Sequence, residues 1–209
     1  MESIVKAVKA RQHKRCLDLF ARDGGMVTSA FEPFVDGMIG VDVNPSYLDA
    51  YRARFGRKVG CTMEGDSVAL LKAGVFRPVF DMVIVDNPQG VYGNGYMEHF
   101  DFFDLLPSTM EDRATLIFIT NLCPHANAAA GMDSYGMADE GIAAWRRSRD
   151  AWYQTKADFL CQEFVVSYYL RRLWDLGVLG FFAGDYLRPS AVLDHPDHIY
   201  YVAFDCTRR

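Results

Sequence analysis

The sequence predicts one α/β domain built on a doubly wound, mostly parallel sheet that ends in an antiparallel hairpin. Three observations lead there. Short apolar runs recur along the chain and stop at glycine or aspartate, as in Cys16–Phe20, Met38–Asp42 and Phe80–Val85. Stretches with helical spacing separate them, which makes successive strands parallel through right-handed βαβ crossovers and covers both faces of the sheet. Finally, two β-like runs, Leu179–Tyr186 and Ile199–Phe204, close the chain around a turn-rich stretch holding Pro189 and Pro196.

Each element has its own local signal. Cys16–Phe20 reads as a buried strand stopped by the Gly24-Gly25 turn, and Met26–Val35 as the helix after it, ended loosely by Pro33 and Gly37. Met38–Asp42 is the second strand. Asn44-Pro45 caps and starts a helix whose apolar face runs through Tyr47, Leu48, Tyr51 and Phe55. Val59–Met63 is a weaker strand before Gly65-Asp66, and Ser67–Ala73 a short helix closed by Gly74. Phe80–Val85 is the clearest strand; a helix is expected between Phe100 and Met110, then a strand over Ala114–Thr120. Residues 121–141 have little periodicity, Ile142, Trp145 and Trp152 mark one helix, and Phe159–Leu176 a second. The whole of 1–209 is therefore expected to be one domain, with an insertion or lid over 121–156.

Composition excludes several classes. Half of the 209 residues are hydrophobic and 23% charged, with no run near the ~18 apolar residues that span a membrane. The basic opening lacks a signal-peptide core, so a soluble, cytoplasmic protein is expected. A net charge of −5 argues against a broad footprint on duplex nucleic acid, leaving only local basic surfaces at residues 1–15 and 145–156. Five scattered cysteines, Cys16, Cys61, Cys123, Cys161 and Cys206, contain no C-x-x-C pair and read as buried, reduced thiols. No metal site is expected: Asp194-His195-Pro196-Asp197-His198 reads as a turn, and Cys123-Pro124-His125 as a loop without an orienting third group.

In such a sheet, ligands bind beyond the carboxyl ends of the strands. Asp18 and Ala21–Gly25 follow the first of these, Asp42 ends the second, Asp66 follows the third, and Asp86–Gln89 the fourth. Glycines let a chain pass close to a ligand. An acidic strand tip can accept both hydroxyls of a ribose, and Asp66 an exocyclic amine.

Over residues 15–121 the chain resembles the class I, Rossmann-like S-adenosylmethionine-dependent methyltransferases. LDLFARDGG (17–25) is similar to their first motif, GVDVNP (40–45) to the acidic motif of strand two, GDS (65–67) to the adenine-contacting turn, and DMVIVDNP (81–88) to the motif at the catalytic strand. The resemblance implies S-adenosyl-L-methionine as cofactor, with Asp42 and Val43 at the ribose, Asp66 and Ser67 at the adenine, and Asp18, Ala21, Arg22, Gly24 and Asp86 around the methionine end. Phe20 and Arg22 stand where small residues are common in the family; Arg22 either pairs with the cofactor's carboxylate or faces solvent in a degenerate loop.

DNPQ (86–89) is similar to the D/N-P-P-Y/F turn of methyltransferases acting on amino nitrogens, which implies catalytic roles for Asp86, Asn87 and Pro88. Gln89 replaces the stacking aromatic, with Tyr92 nearby, and both are candidate acceptor contacts. LDLFA and PQG also resemble the cytosine carbon-5 methyltransferases, but their nucleophilic cysteine is missing, which argues against covalent attack on a pyrimidine. Arg146, Arg147 and Arg149 are candidate contacts for an anionic acceptor. The expected activity is N-methylation of a nucleobase or another amine, with nucleic acid or a partner subunit among the conceivable partners. Two other readings stay open: an enzyme that consumes the cofactor without methylating anything, and a catalytically silent scaffold. An unrelated dinucleotide- or triphosphate-binding domain is disfavoured, since the chain has neither G-x-G-x-x-G in its first turn nor a P-loop.

Overall fold

A computed structural model describes residues 1–25, 27–86, 91–92, 96–122, 139–157, 160–187 and 199–209. The sheet strands are β1 (His13–Leu19), β2 (Val35–Asp42), β3 (Val59–Glu64), β4 (Phe80–Val85), β7 (Met110–Asn121), β8 (Val178–Leu187) and β9 (Ile199–Arg208). A two-residue ladder, β5 (Val91–Tyr92) with β6 (Tyr96–Met97), lies apart from them. The helices are α1 (Glu2–Lys9), α2 (Val27–Phe31), α3 (Pro45–Phe55), α4 (Ser67–Lys72), α5 (Asp139–Tyr153) and α6 (Gln162–Asp175).

The sheet order is β3-β2-β1-β4-β7-β9-β8. β1 to β4 and β7 are parallel, and β9 runs antiparallel to both of its neighbours. The closing hairpin expected at one sheet edge is therefore present, with the later strand on the inside.

β4 explains why its sequence is a continuous apolar run: all six residues are buried, because the sheet is covered on both faces. Successive side chains point to opposite faces. Leu17, Leu19, Val83, Val85, Leu116 and Phe118 pack with Phe102, Phe103 and Tyr169 on one side. Cys16, Met82, Ile84, Ile117 and Ile119 pack with Ile4, Phe31 and Tyr51 on the other.

Several expectations are corrected. The helix over Met26–Val35 is only α2 followed by a 3-10 turn, Glu32–Phe34, because Pro33 interrupts it and β2 already begins at Val35. Between Phe100 and Met110 there is no α-helix but 3-10 turns over Glu98–Asp101 and Phe103–Thr109; Pro107 lies inside the second and supplies no N–H. Of the cysteines, Cys16 and Cys206 are buried as expected, while Cys61 and Cys161 are exposed; all four are free thiols. Burial pushes the Cys206 thiol up to about 12 and Cys16 well above its ordinary value. No helix among the described residues is long and apolar enough to cross a membrane.

Candidate functional site

The turn after β1 places two non-glycine residues in the left-handed region, Phe20 at φ 60° and Arg22 at φ 46°. Such backbone persists only where its surroundings fix it, and here they do. Phe20 N–H donates to Ser67 Oγ at 3.3 Å, Ala21 N–H to the Val41 carbonyl at 2.9 Å, and Arg22 N–H to Asp42 Oδ2 at 3.0 Å. The other carboxylate oxygen of Asp42 accepts Asn44 N–H at 2.9 Å. Asp42 thus joins the tip of β1 to the tip of β2, and Ser67 joins the same turn to the start of α4.

Gly24 is required by packing as well as by its φ of 67°: an added Cβ would lie 2.2 Å from the Phe55 ring. Phe20 turns its ring towards Phe102, with centroids 5.5 Å apart. Arg22 is exposed, with its guanidinium 5.6 Å from the centre of the Tyr47 ring. Both departures from small residues in this turn therefore have partners.

Asp66 caps α4, its Oδ1 accepting Val68 N–H and Ala69 N–H at 2.9 and 3.0 Å. Val43, just past Asp42, is 62% exposed, a large apolar side chain presented beside the acidic tip of β2. Asp18 is fully enclosed and accepts the Thr28 hydroxyl at 2.6 Å on Oδ2. Its Oδ1 and the nearby Tyr51 hydroxyl are buried without a partner in hydrogen-bonding geometry. Desolvation raises the Asp18 carboxyl to about 7; the hydroxyls of Thr28 and Tyr51 act against this, and the charges of Asp86 and Asp42 add to it.

Asp86 follows β4, half-buried, with the Tyr201 hydroxyl donating to its Oδ1 at 3.4 Å. The rest of the expected catalytic turn, Asn87, Pro88 and Gln89, lies outside the described residues. So do Cys123–His125, Asp194–His198 and positions 123–138 of the expected insertion. Tyr92 belongs to β5, in register with Tyr96.

The tip of β7, the strand next to β4, carries on the Tyr169 face of the sheet a hydroxyl network that the sequence did not disclose. Thr120 Oγ1 lies 2.9 Å from the Tyr153 hydroxyl, which lies 2.9 Å from that of Tyr169; Trp152 Nε1–H donates to Tyr169 at 3.1 Å. These residues read as packing aromatics, which they also are: the Tyr153 ring packs edge-on to those of Phe100 and Tyr168. The three arginines of α5 do not act as one patch. Arg147 is exposed, Arg146 half-buried and Arg149 buried, at 1% exposure. Among the described residues no group of three or more His, Cys, Asp or Glu side chains is placed to hold a metal ion.

No protein-family model matches the sequence, and no curated protein shows a significant match to it. The fold, by contrast, is similar to solved methyltransferases. The N-methyltransferase NodS from Bradyrhizobium japonicum WM9 is 10% identical, with a TM-score of 0.57 over 100% of this chain and 94% of that one. The methyltransferase domain of bacterial CtHen1 is 13% identical, at 0.54 over 98% and 95%. The plantazolicin methyltransferase BamL, solved with S-adenosylhomocysteine, is 10% identical, at 0.56 over 99% and 82%. The chain thus has the Rossmann-like fold of S-adenosylmethionine-dependent methyltransferases.

Proposed function

We propose that this protein is an S-adenosylmethionine-dependent methyltransferase that methylates an amino nitrogen. The observation carrying this reading is the convergence at one end of the sheet: the β1 and β2 turns joined through Asp42, the α4 cap Asp66, and Asp86 at the tip of β4. The residues fit the cofactor. Asp42 has accepted one N–H on each oxygen, and a carboxylate oxygen has room for a second donor, such as a ribose hydroxyl. Val43 offers exposed apolar surface to a purine, and Asp66 stands at the third tip for its amine. Arg22 lies in the turn at the methionine end, where a guanidinium suits a carboxylate.

S-adenosylmethionine supplies an electrophilic methyl group when bound. The chain's task is then to position the acceptor and take its proton. Asp86 accepts an N–H of the amine, Asn87 and the Pro88 carbonyl accept the other, and the lone pair is left aligned. Gln89 and Tyr92 complete the acceptor side. The nitrogen belongs to a nucleobase or to another amine.

The test uses cofactor labelled in its methyl group, incubated with the protein and fractionated cell nucleic acid, protein and small molecules. Label should enter one fraction, Asp86→Ala and Asn87→Ala should abolish that transfer, and S-adenosylhomocysteine affinity should survive Asn87→Ala. Cofactor breakdown with no labelled acceptor, or full turnover by either variant, overturns the reading.

A further inference from the structure

Arg149 has a fully buried guanidinium that is only partly paired. Its Nη1 donates to the Ala157 carbonyl at 3.0 Å and lies 3.4 Å from Oδ1 of the adjacent, partly exposed Asp150. The Tyr153 ring is 5.9 Å away. Its Nε and Nη2 have no hydrogen-bond partner among the described residues. Removing a charge from water costs several kcal/mol unless its hydrogen bonds are replaced, so a protein retains such a group where an anion meets it.

The geometry identifies the anion. The uncommitted Nε and Nη2 form one edge of the planar guanidinium, the edge that takes two oxygens side by side. Asp150 already meets part of the Arg149 charge through Nη1, so what is left matches at most a single negative charge, as on a carboxylate. A phosphate dianion would ask for a second cation free at the same place; Arg147 is exposed, and Arg146, one turn before Arg149, is engaged in interactions of its own.

Position links this edge to the proposed chemistry. Tyr153, one helical turn beyond Arg149, holds Thr120 through its hydroxyl. Phe118 of β7 is in register with Val85 of β4, so Thr120, two residues on, stands at the same end of the sheet as Asp86. Arg149, beside the Tyr153 ring, is therefore tied through Tyr153 to the end of the sheet that carries Asp86.

We propose that Arg149 receives a carboxylate carried by the methyl acceptor, which makes the acceptor a small amine bearing an acid group; only the ownership of that carboxylate rests on the methyltransferase reading. Sodium benzoate is the probe. With arginine labelled by 15N, the Nε–H resonance that disappears in Arg149→Met should shift saturably with benzoate, and inorganic phosphate at equal ionic strength should leave it unmoved. Benzoate should raise the Tm of the wild type but not of Arg149→Met. That variant should itself melt no lower than wild type, since it exchanges a buried charge for an apolar chain.

With the acceptor fraction in hand, Arg149→Met should raise KM about 30- to 100-fold with little change in kcat, and Arg149→Lys should restore part of the loss. Absence of a saturable benzoate shift, preference for phosphate, or a fall in the variant's Tm without any benzoate effect overturns the proposal. Unchanged KM in Arg149→Met sinks it and leaves methyl transfer standing. Benzoate binding at Arg149 without methylation of any fraction does the reverse.

Discussion

Arg22 donates its backbone N–H to Asp42 at 3.0 Å, so the residue proposed to hold a ribose also holds the turn on which the cofactor would lie. Asp42→Ala would therefore remove the proposed ligand contact and loosen the strained backbone of Phe20 and Arg22 together. Calorimetry with S-adenosylhomocysteine should show a loss of about 1.5–3 kcal/mol. Unchanged affinity would take Asp42 out of the site.

Gly24→Ala meets two penalties, a left-handed backbone and a Cβ 2.2 Å from Phe55. Urea unfolding should show a loss of about 2–4 kcal/mol, the range for overpacking plus an unfavourable φ. In the double variant with Phe55→Ala, the steric part should vanish and the φ part remain. Strict additivity of the two changes would mean that the ring is not the obstacle.

The Asp18 carboxyl sits at about 7 in the folded protein and near 3.8 when unfolded. Between these values the folded state binds the extra proton, so the stability that Asp18 contributes is full below about pH 4 and is lost as pH rises towards and through 7. Relative to wild type, Asp18→Asn should grow steadily more stable over that window and level off above it. Tm measured against pH checks this; parallel curves for the two proteins would show that Asp18 does not titrate in that range.

The hydroxyl of Tyr153 joins Thr120 to Tyr169 and so fixes α5 on the tip of β7. Tyr153→Phe should cost about 1–2 kcal/mol in unfolding free energy, as expected for buried hydrogen bonds. A cycle with Thr120→Val should give a coupling of about 1 kcal/mol. Zero coupling would mean that the contact contributes nothing.

How much of this was legible in the sequence differs from element to element. β4 announced itself because both of its faces are buried, and Asn44 because an asparagine before proline caps a helix; its side chain accepts Ser46 N–H at 3.0 Å. β1 was read as starting at Cys16 because Lys14 and Arg15 look like solvent-facing residues. Their N–H groups are satisfied by the Asp81 side chain, a long-range contact that no local pattern shows. In the site, aspartates at three strand tips were visible from position alone. The bonds of Asp42 to both flanking turns were not, since they depend on positive φ at Phe20 and Arg22, which composition does not suggest. Arg149 was named with Arg146 and Arg147 as a contact for an anion, but nothing local told the three apart, and only the packing of α5 buries Arg149 while exposing Arg147.

The place of β9 between β7 and β8 also governs the order in which the sheet can be completed. Synthesis delivers β8 before the strand that must stand between it and the rest of the sheet, so β8 emerges with no neighbour to pair with. Only when β9 has left the ribosome can its ladders to Met110–Asn121 on one side and Val178–Leu187 on the other form. Until then the growing chain carries an unpaired strand with Phe181 and Phe182, both still exposed in the finished fold, and is open to aggregation during that interval. Acidic or lysine substitutions at those two phenylalanines would therefore act on the yield of folded protein during expression rather than on the stability of the finished sheet.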